Sequence, residues 1–378
     1  MSRLFSLVRR STSQVVGVVC ARGGRRGATE TRRTLFSAVP VLEPLKFPLG
    51  GFFGANHEAG YEFFKYAKYF PFESKVDNRF SLVNAAFLAD AAYAAYFDQS
   101  VIPSKLERLP AKLRDSFQFF DDKESAQGYV INDDDSVIIV FRGSETAART
   151  PDEPLEQTLH SVYTDWITAD ANIQLITDKV APPGRVHRGF QLAVDSAMSS
   201  IAPIVEPLIG GPLTASQRSP GQKRRVFVCG HSLGAAMSTV FSRRTAAVVN
   251  AVYTYGCPRC GDTLWADSYP LSSVYRIVHN LDVVTHVPEP VPLLPYKHVG
   301  EMKLIDSFGQ LHDGSASHEG AQAVIDTVET AVHHPQVLQA DSVVKTLDQN
   351  PVTDHHPVYY AAFLWNQIIA NSNKGAKQ

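Results

Sequence analysis

Val226-Phe227-Val228-Cys229-Gly230-His231-Ser232-Leu233-Gly234 joins a short β-branched and aromatic run directly to an Ala- and Ser-rich run without proline, Leu233 to Val249. The first run predicts a buried strand and the second a crossover helix. At the joint, Gly230-His231-Ser232-Leu233-Gly234 fits the pattern GxSxG. Small residues around the serine permit a sharp strand-to-helix turn that lifts its hydroxyl above the sheet edge. The bare pattern recurs by chance in chains with this much Gly and Ser. Its place between a strand and a helix distinguishes a nucleophile from an inert serine on a glycine turn.

Working outward, Ser136 to Phe141 (SVIIVF), Ala251 to Tyr255 (AVYTY) and Val274 to Val278 (VYRIV) are further short apolar runs that predict neighbouring buried strands. Phe80 to Phe97 is Ala-rich with aromatic and aliphatic residues at helical spacing, and a second helix is expected after Val186, through Phe190 to Ile204. Strands alternating with helices imply a mostly parallel sheet covered on both faces. Glu145 to His160 and Gly210 to Lys223, with their prolines, glycine and charges, predict surface loops. Ser307 to Asn350 is polar and expected to be partly helical.

Charge divides the chain at residue 38. The first 38 residues carry eight arginines, no lysine and one acid, Glu30. The remaining 28 Lys and Arg face 37 Asp and Glu, a net charge of −9. The expectation is a leader over 1–38 and a single α/β domain over 39–378. An Arg-rich, acid-poor start predicts targeting to the mitochondrion or another organelle. The alternative, secretion, takes Val15 to Ala21 as a short signal core. The acidic body excludes a basic nucleic-acid footprint and charge-driven docking to anionic lipid, and no apolar run approaches the roughly 20 residues of a membrane span.

Cys257-Pro-Arg-Cys260 has redox or zinc spacing but no second pair, and predicts two thiols on a turn after a buried strand. The doublets His333-His334 and His355-His356 lack a carboxylate spacing that would complete a metal site, so neither metal nor cofactor is expected.

A serine nucleophile needs a base, and the base an orienting carboxylate. In a sheet of this kind they follow in the order Ser, Asp or Glu, His. Asp282 lies just beyond the VYRIV strand, at a carboxyl end where active-site groups collect. The later histidines are His286, His298, His312, His318, His333, His334, His355 and His356, and position alone does not choose among them.

Several separated segments resemble the class 3 lipases, the fungal-lipase-like family of α/β-hydrolases. Val140-Phe141-Arg142-Gly143-Ser144 is similar to the family's strand and oxyanion turn, Asp165-Trp166-Ile167-Thr168-Ala169-Asp170 to its DWxxD element, and Val186-His187-Arg188-Gly189-Phe190 to the helix start that follows. Tyr255-Gly256-Cys257-Pro258-Arg259-Cys260-Gly261 resembles its GxPRxG turn, with cysteines at the variable positions. Arg276 to Pro288 resembles the segment of the catalytic Asp, and Asp354-His355-His356-Pro357-Val358-Tyr359-Tyr360 the terminal His segment.

The resemblance covers roughly residues 80 to 370. It implies an α/β-hydrolase fold with Ser232 as nucleophile, Asp282 as orienting acid and His355 as base. His356 is the alternative base, because family members also place the histidine three residues before the tyrosine. It also implies oxyanion donors at Leu233 N–H and at Ser144, N–H and hydroxyl. Glu145 to Thr164 is long and polar where compact members place a brief lid helix, so an enlarged lid is expected. The implied reaction is hydrolysis of a lipid ester at a membrane or droplet surface, first of acylglycerols. Phospholipid or galactolipid acyl hydrolysis, a small-ester or feruloyl esterase, and a silent lipid-binding scaffold are the rival readings.

Overall fold

A computed structural model describes residues 41–45, 60–76, 79–122, 126–144, 174–314 and 353–375, all within the unit Val39–Gln378. The Arg-rich residues 1–38, the expected lid over 145–164, the Asp165–Asp170 element and residues 315–350 lie outside the described residues.

An eight-stranded sheet forms the frame. Its strands are β1 (Gln118–Asp121), β2 (Gln127–Asn132), β3 (Ser136–Phe141), β6 (Arg225–His231), β7 (Val249–Tyr255), β9 (Val274–His279), β11 (Glu301–Ile305) and β12 (Leu311–Asp313), neighbours in that order. The five from β3 to β11 are parallel, whereas β1, β2 and β12 add antiparallel edges. A second, four-stranded sheet links β4 (Leu175–Thr177), β5 (Arg185–His187), β8 (Gly261–Asp262) and β10 (Tyr296–Lys297).

Helices cover both faces. In chain order they are α1 (Leu82–Ala94), α2 (Ile102–Lys105), α3 (Ala111–Arg114), α4 (Arg188–Ile209), α5 (Leu233–Arg244), α6 (Thr263–Asp267) and α7 (Pro357–Gly375). Period-two alternation divides the strands between two cores. Ile138, Val140, Phe227, Cys229, Tyr253 and Ile277 pack with α1, α7 and Phe63 to Ala67. Val137, Ile139, Phe141, Val226, Val228 and Val252 pack with α4 and α5. Because each central strand is apolar on both sides, the runs are continuous rather than alternating, which is the pattern of a doubly covered parallel sheet.

The predicted helix over 80–97 narrows to α1, capped by the Ser81 side chain, which accepts from Asn84 N. The predicted 233–249 helix stops at Arg244, because Thr245 turns the chain and Val249 already belongs to β7. The Gly210 to Lys223 loop begins where Gly210 adopts a left-handed conformation beyond α4, which glycine tolerates without a side-chain clash. Of the expected partly helical stretch 307–350, the described residues 307–314 hold the turn and the β12 strand of the β11–β12 hairpin, their mostly polar side chains suiting an exposed edge. Helix α4 is long and apolar enough, by length and composition alone, to cross a bilayer. Its buried stripe of Phe190, Val194, Ala197, Ile201, Val205 and Ile209 packs in the second core, as expected of a covering helix.

Candidate active site

The nucleophile turn is built from backbone constraints. Ser232 has φ 59° and ψ −124°, a conformation costly for a residue with a side chain, between the end of β6 and the start of α5. Two glycines make the turn possible. A Cβ at Gly230 would lie 2.4 Å from the carbonyl carbon and oxygen of Gly234, and one at Gly234 would lie 2.3 Å from the Phe141 oxygen. The Ser232 N–H donates to Tyr255 O at 3.0 Å, tying the turn to β7.

Asp282 comes from the loop after β9. Its side chain is fully buried and caps the short 3-10 turn Val283–His286 by accepting from Val284 N at 2.9 Å. His355 comes from another 3-10 turn, Thr353–His355, just before α7. Its Nδ1 lies 2.9 Å from Asp282 Oδ1 and 2.8 Å from Oδ2, and Tyr360, one turn into α7, donates its hydroxyl to Oδ2. Burial pushes the Asp282 carboxyl up, but the charge of His355 and the hydrogen bonds from His355, Tyr360 and the Val284 N–H outweigh it. The net position is below the ordinary aspartate range. With Nδ1–H given to an ionised carboxylate, Nε2 of a neutral His355 carries the lone pair a base requires.

His355 stands next to the elbow through His231, the residue before the serine. His231 Nε2 lies 2.7 Å from the His355 carbonyl oxygen, and the two imidazole rings are 4.4 Å apart. A carbonyl only accepts, so His231 Nε2 carries the proton and Nδ1 accepts from Tyr96 Oη at 2.7 Å. Burial and the neighbouring His355 hold His231 well below the ordinary histidine range, which keeps this tautomer neutral. The Tyr96 hydroxyl also meets the Ser232 side chain. Among the described residues no hydrogen bond joins Ser232 Oγ to His355.

The GxPRxG turn supports the pair from below. Gly256, at φ +56°, leaves room that a Cβ would fill, 2.7 Å from Asp282 Oδ2 and 2.9 Å from His355 Cε1 and Nδ1. Arg259 clamps the segment beyond Asp282: its N–H donates to Val287 O at 2.8 Å and its guanidinium to the carbonyls of His286 and Pro288.

The expected oxyanion donors sit at the same end of the sheet. Phe141 pairs in register with Gly230, so the turn Arg142-Gly143-Ser144 leaves β3 beside the elbow, and a Cβ on Gly143 would come within 2.9 Å of the His231 oxygen. Leu233 is the first residue of α5, where backbone N–H groups have no intrahelical acceptor.

The structure thus brings Asp282 and His355 into contact and sets Ser232 beside them, with Leu233 and Ser144 at the same edge. His356 turns elsewhere: its Nδ1 accepts from Val358 N at 3.1 Å and its ring faces Tyr93. Sequence reasoning missed Tyr96, His231, Tyr360 and Asp354. Asp354 sits behind the site, accepting from Asn280 Nδ2 and Leu281 N. Burial, with a further push from the charge on Asp282, takes it up to about 7. Tyr360 was visible in the terminal segment, but nothing local tied its hydroxyl to Asp282.

The family described as Lipase (class 3) matches residues 138–291, from β3 to beyond Asp282. Toxin TseL of Vibrio cholerae is 27% identical over 211 residues, covering 48% of this chain and 31% of the toxin, so the chain spans about a third of that relative's length. Among solved structures, the Rhizomucor miehei triacylglyceride lipase is 17% identical with a TM-score of 0.48, covering 74% of this chain and 95% of that one. The lipase from Rhizopus microsporus var. chinensis is 21% identical with a TM-score of 0.48, covering 68% and 87%. Residues 138–291 thus match the class 3 lipase family, and their described part supplies β6, β7, β9 and most of β3 of the mostly parallel sheet.

Proposed function

We propose that this protein is a serine carboxylic-ester hydrolase acting on lipids, in the first place an acylglycerol lipase, with Ser232, His355 and Asp282 as its triad. The observation that carries the reading is the contact of the buried Asp282 with the partly buried His355, beside a strained Ser232 elbow. The family of residues 138–291 supports lipid esters as the substrate class.

The chemistry follows from the roles. As Ser232 Oγ bonds to the ester carbonyl carbon, its proton passes to His355 Nε2 and the carbonyl oxygen becomes an oxyanion. Leu233 N–H and Ser144 supply donors to that oxygen, which concentrates stabilisation where charge develops. His355 then returns the proton to the departing alkoxide. Water repeats the sequence on the acyl-enzyme and releases the fatty acid. Asp282 remains ionised throughout and holds the imidazolium. The ester is met at a membrane or droplet surface, and the Arg-rich residues 1–38 direct the chain to the mitochondrion or another organelle.

The test is hydrolysis of p-nitrophenyl acetate, butyrate, octanoate and palmitate, with and without lipid micelles, by wild type and Ser232→Ala. Preference for long esters, gain on micelles and loss with Ser232→Ala are the expected results, together with fluorophosphonate labelling of wild type only. Diacyl phospholipid and galactolipid substrates in the same assay separate the headgroup classes. A folded wild type that is silent on every ester and unlabelled by the probe overturns the reading in favour of a lipid-binding scaffold.

A further inference from the structure

Cys257 and Cys260 take no part in ester hydrolysis, yet they occupy the turn on which the Asp282–His355 pair rests. Both are buried, and both sulfurs converge on one carbonyl: Cys257 Sγ lies 3.3 Å and Cys260 Sγ 3.4 Å from Pro258 O. Thr239 Oγ1, from α5, lies 3.7 Å from Cys257 Sγ. Across the turn, Arg276 of β9 has a buried Nε with no hydrogen-bond partner, and its strongest charge interaction is with Cys257. An under-satisfied guanidinium beside a thiol favours the thiolate, the form that reacts with oxidants.

The geometry points to Cys257 and Cys260 as an oxidisable dithiol site that takes a hydroperoxide and closes to a disulfide, shifting the Gly256 turn beneath Asp282 and His355. The two thiols are not equivalent. Burial raises Cys257, but the hydrogen bonds from Cys260 and Thr239 and the charge of Arg276 leave it below the ordinary thiol range, while burial and Cys257 itself hold Cys260 above it. Cys257 is therefore the attacking sulfur. Its thiolate bonds to the terminal peroxide oxygen, the O–O bond breaks, and the alkoxide or hydroxide leaves and takes up a proton. The product is a sulfenic acid at Cys257. Cys260 then bonds to that sulfur and expels hydroxide, which leaves as water with the Cys260 proton. Two thiols are oxidised, and one peroxide is reduced to an alcohol and water, or to two waters for hydrogen peroxide.

A disulfide requires an S–S distance of about 2.05 Å and a dihedral near 90°. Drawing together two sulfurs that each lie against Pro258 O moves the backbone of 257–260, and Gly256 precedes it directly. A Cβ on Gly256 would already stand 2.7 Å from Asp282 Oδ2, so the carboxylate and imidazole have little room to absorb the movement. Closing also removes the ionisable thiol that interacts with the charge of Arg276.

This coupling rests on the proposed hydrolase reading, so the test carries a readout independent of activity. The full chain is treated with hydrogen peroxide, alkylated after denaturation and mapped by mass spectrometry. The expected result is a 257–260 crosslink with loss of two hydrogens that dithiothreitol reverses, while Cys229, a buried thiol in β6 pushed up by burial alone, stays alkylatable. With Cys260→Ala, a dimedone-trapped sulfenic acid at Cys257 is expected. Ester hydrolysis and fluorophosphonate labelling should fall about tenfold on oxidation and recover on reduction. The double variant Cys257→Ala/Cys260→Ala should lose this sensitivity. Peroxide that leaves both thiols alkylatable, or that oxidises Cys229 equally, overturns the site. An intact disulfide with unchanged hydrolysis overturns the coupling. A reduced protein with no hydrolysis and no probe labelling removes the hydrolase reading, while the mass readout still decides the dithiol.

Discussion

Two regions of this molecule each bury an aspartate completely and surround it with three hydrogen-bond donors, yet their protonation runs in opposite directions. In the catalytic corner Asp282 accepts from His355 Nδ1, Tyr360 Oη and Val284 N, and its pKa is lowered. In the seam between α1 and α7, Asp90 accepts from Tyr61 Oη at 2.6 Å, Phe64 N at 2.7 Å and Trp365 Nε1 at 2.8 Å. Burial nevertheless pushes it up to about 7. Three neutral donors do not replace the solvation lost by a carboxylate, whereas a partner able to carry positive charge does. The catalytic corner is arranged to keep a negative charge and the seam to hold a polar knot. Both are fastened to α7, through Tyr360 and Trp365.

The largest expected effect tests that division at Asp282. Asp282→Asn keeps the shape but cannot hold His355 in the required tautomer or balance an imidazolium. Catalytic turnover on a p-nitrophenyl ester should fall about 10⁴-fold, roughly 5.5 kcal/mol of barrier, with the far-UV spectrum unchanged. A loss under tenfold would mean that Asp282 does not orient the base. Asp90→Ala should do the reverse. It strands the Tyr61, Phe64 and Trp365 donors, at about 1 kcal/mol or more each, and lowers the melting temperature by roughly 5–10 °C. Turnover per folded molecule should stay within about threefold. If activity collapsed while the protein stayed folded, the seam would belong to the site rather than to its support.

The same contrast sets the response to pH. Asp90, raised to about 7, keeps in the folded state a proton that the unfolded chain releases near 4. The stability it contributes is fully present below about pH 4 and is lost as pH rises towards 7. Asp354, also raised to about 7, acts in the same direction. Asp282, lowered, contributes stability that is present above the unfolded carboxylate range and lost only as pH falls through its folded value. Acidification from pH 7 to 5 therefore sets the two raised acids, which stabilise, against the buried histidines His187, His231, His279 and His298, whose lowered pKa values cost stability as the unfolded chain takes up protons below about 6.5. Asp90→Asn should remove the Asp90 share, so that the melting temperature of the variant rises less, or falls more, than that of wild type over this window. Parallel curves for the two would contradict a raised Asp90.

The elbow was legible because it is local. Gly230, Ser232 and Gly234 clash or strain within one turn, and the flanking hydrophobic patterns identify strand and helix without tertiary information. The central parallel strands were legible for a related reason, since burial on both faces leaves an unbroken apolar run such as Ser136 to Phe141. The edges were not. Strands β1 and β12 are short and partly exposed, and Gln118–Asp121 carries no alternation strong enough to stand out. Among the site residues Asp282 could be read from its place after a strand, but choosing between His355 and His356 on the residues alone required the fold. Adjacent residues at the end of a 3-10 turn point in different directions, and only one meets the carboxylate. Tyr96 and His231 escaped notice because their roles lie in a contact between α1's end and the elbow, 135 residues apart in the chain.

The smallest effect sharpens the comparison most, because it removes a neutral donor from the charged corner. Tyr360→Phe deletes the hydroxyl on Asp282 Oδ2 and leaves His355 and Val284 N in place. If charge rather than donor count governs Asp282, the carboxylate stays ionised near neutral pH. The cost should then be about 1 kcal/mol of stability and a three- to tenfold loss of turnover, through looser placement of His355. The matching deletion at Asp90, Tyr61→Phe, takes one of three neutral donors from a carboxyl that has no charged partner in contact. It should raise the apparent Asp90 pKa further and enlarge the stabilisation that Asp90 contributes on acidification between pH 7 and 5, read as a difference in melting temperature from wild type. Equal responses at the two sites would show that donors are interchangeable with charge here. Unequal ones, with turnover moved by Tyr360→Phe and the pH slope by Tyr61→Phe, would separate the catalytic acid from the structural one.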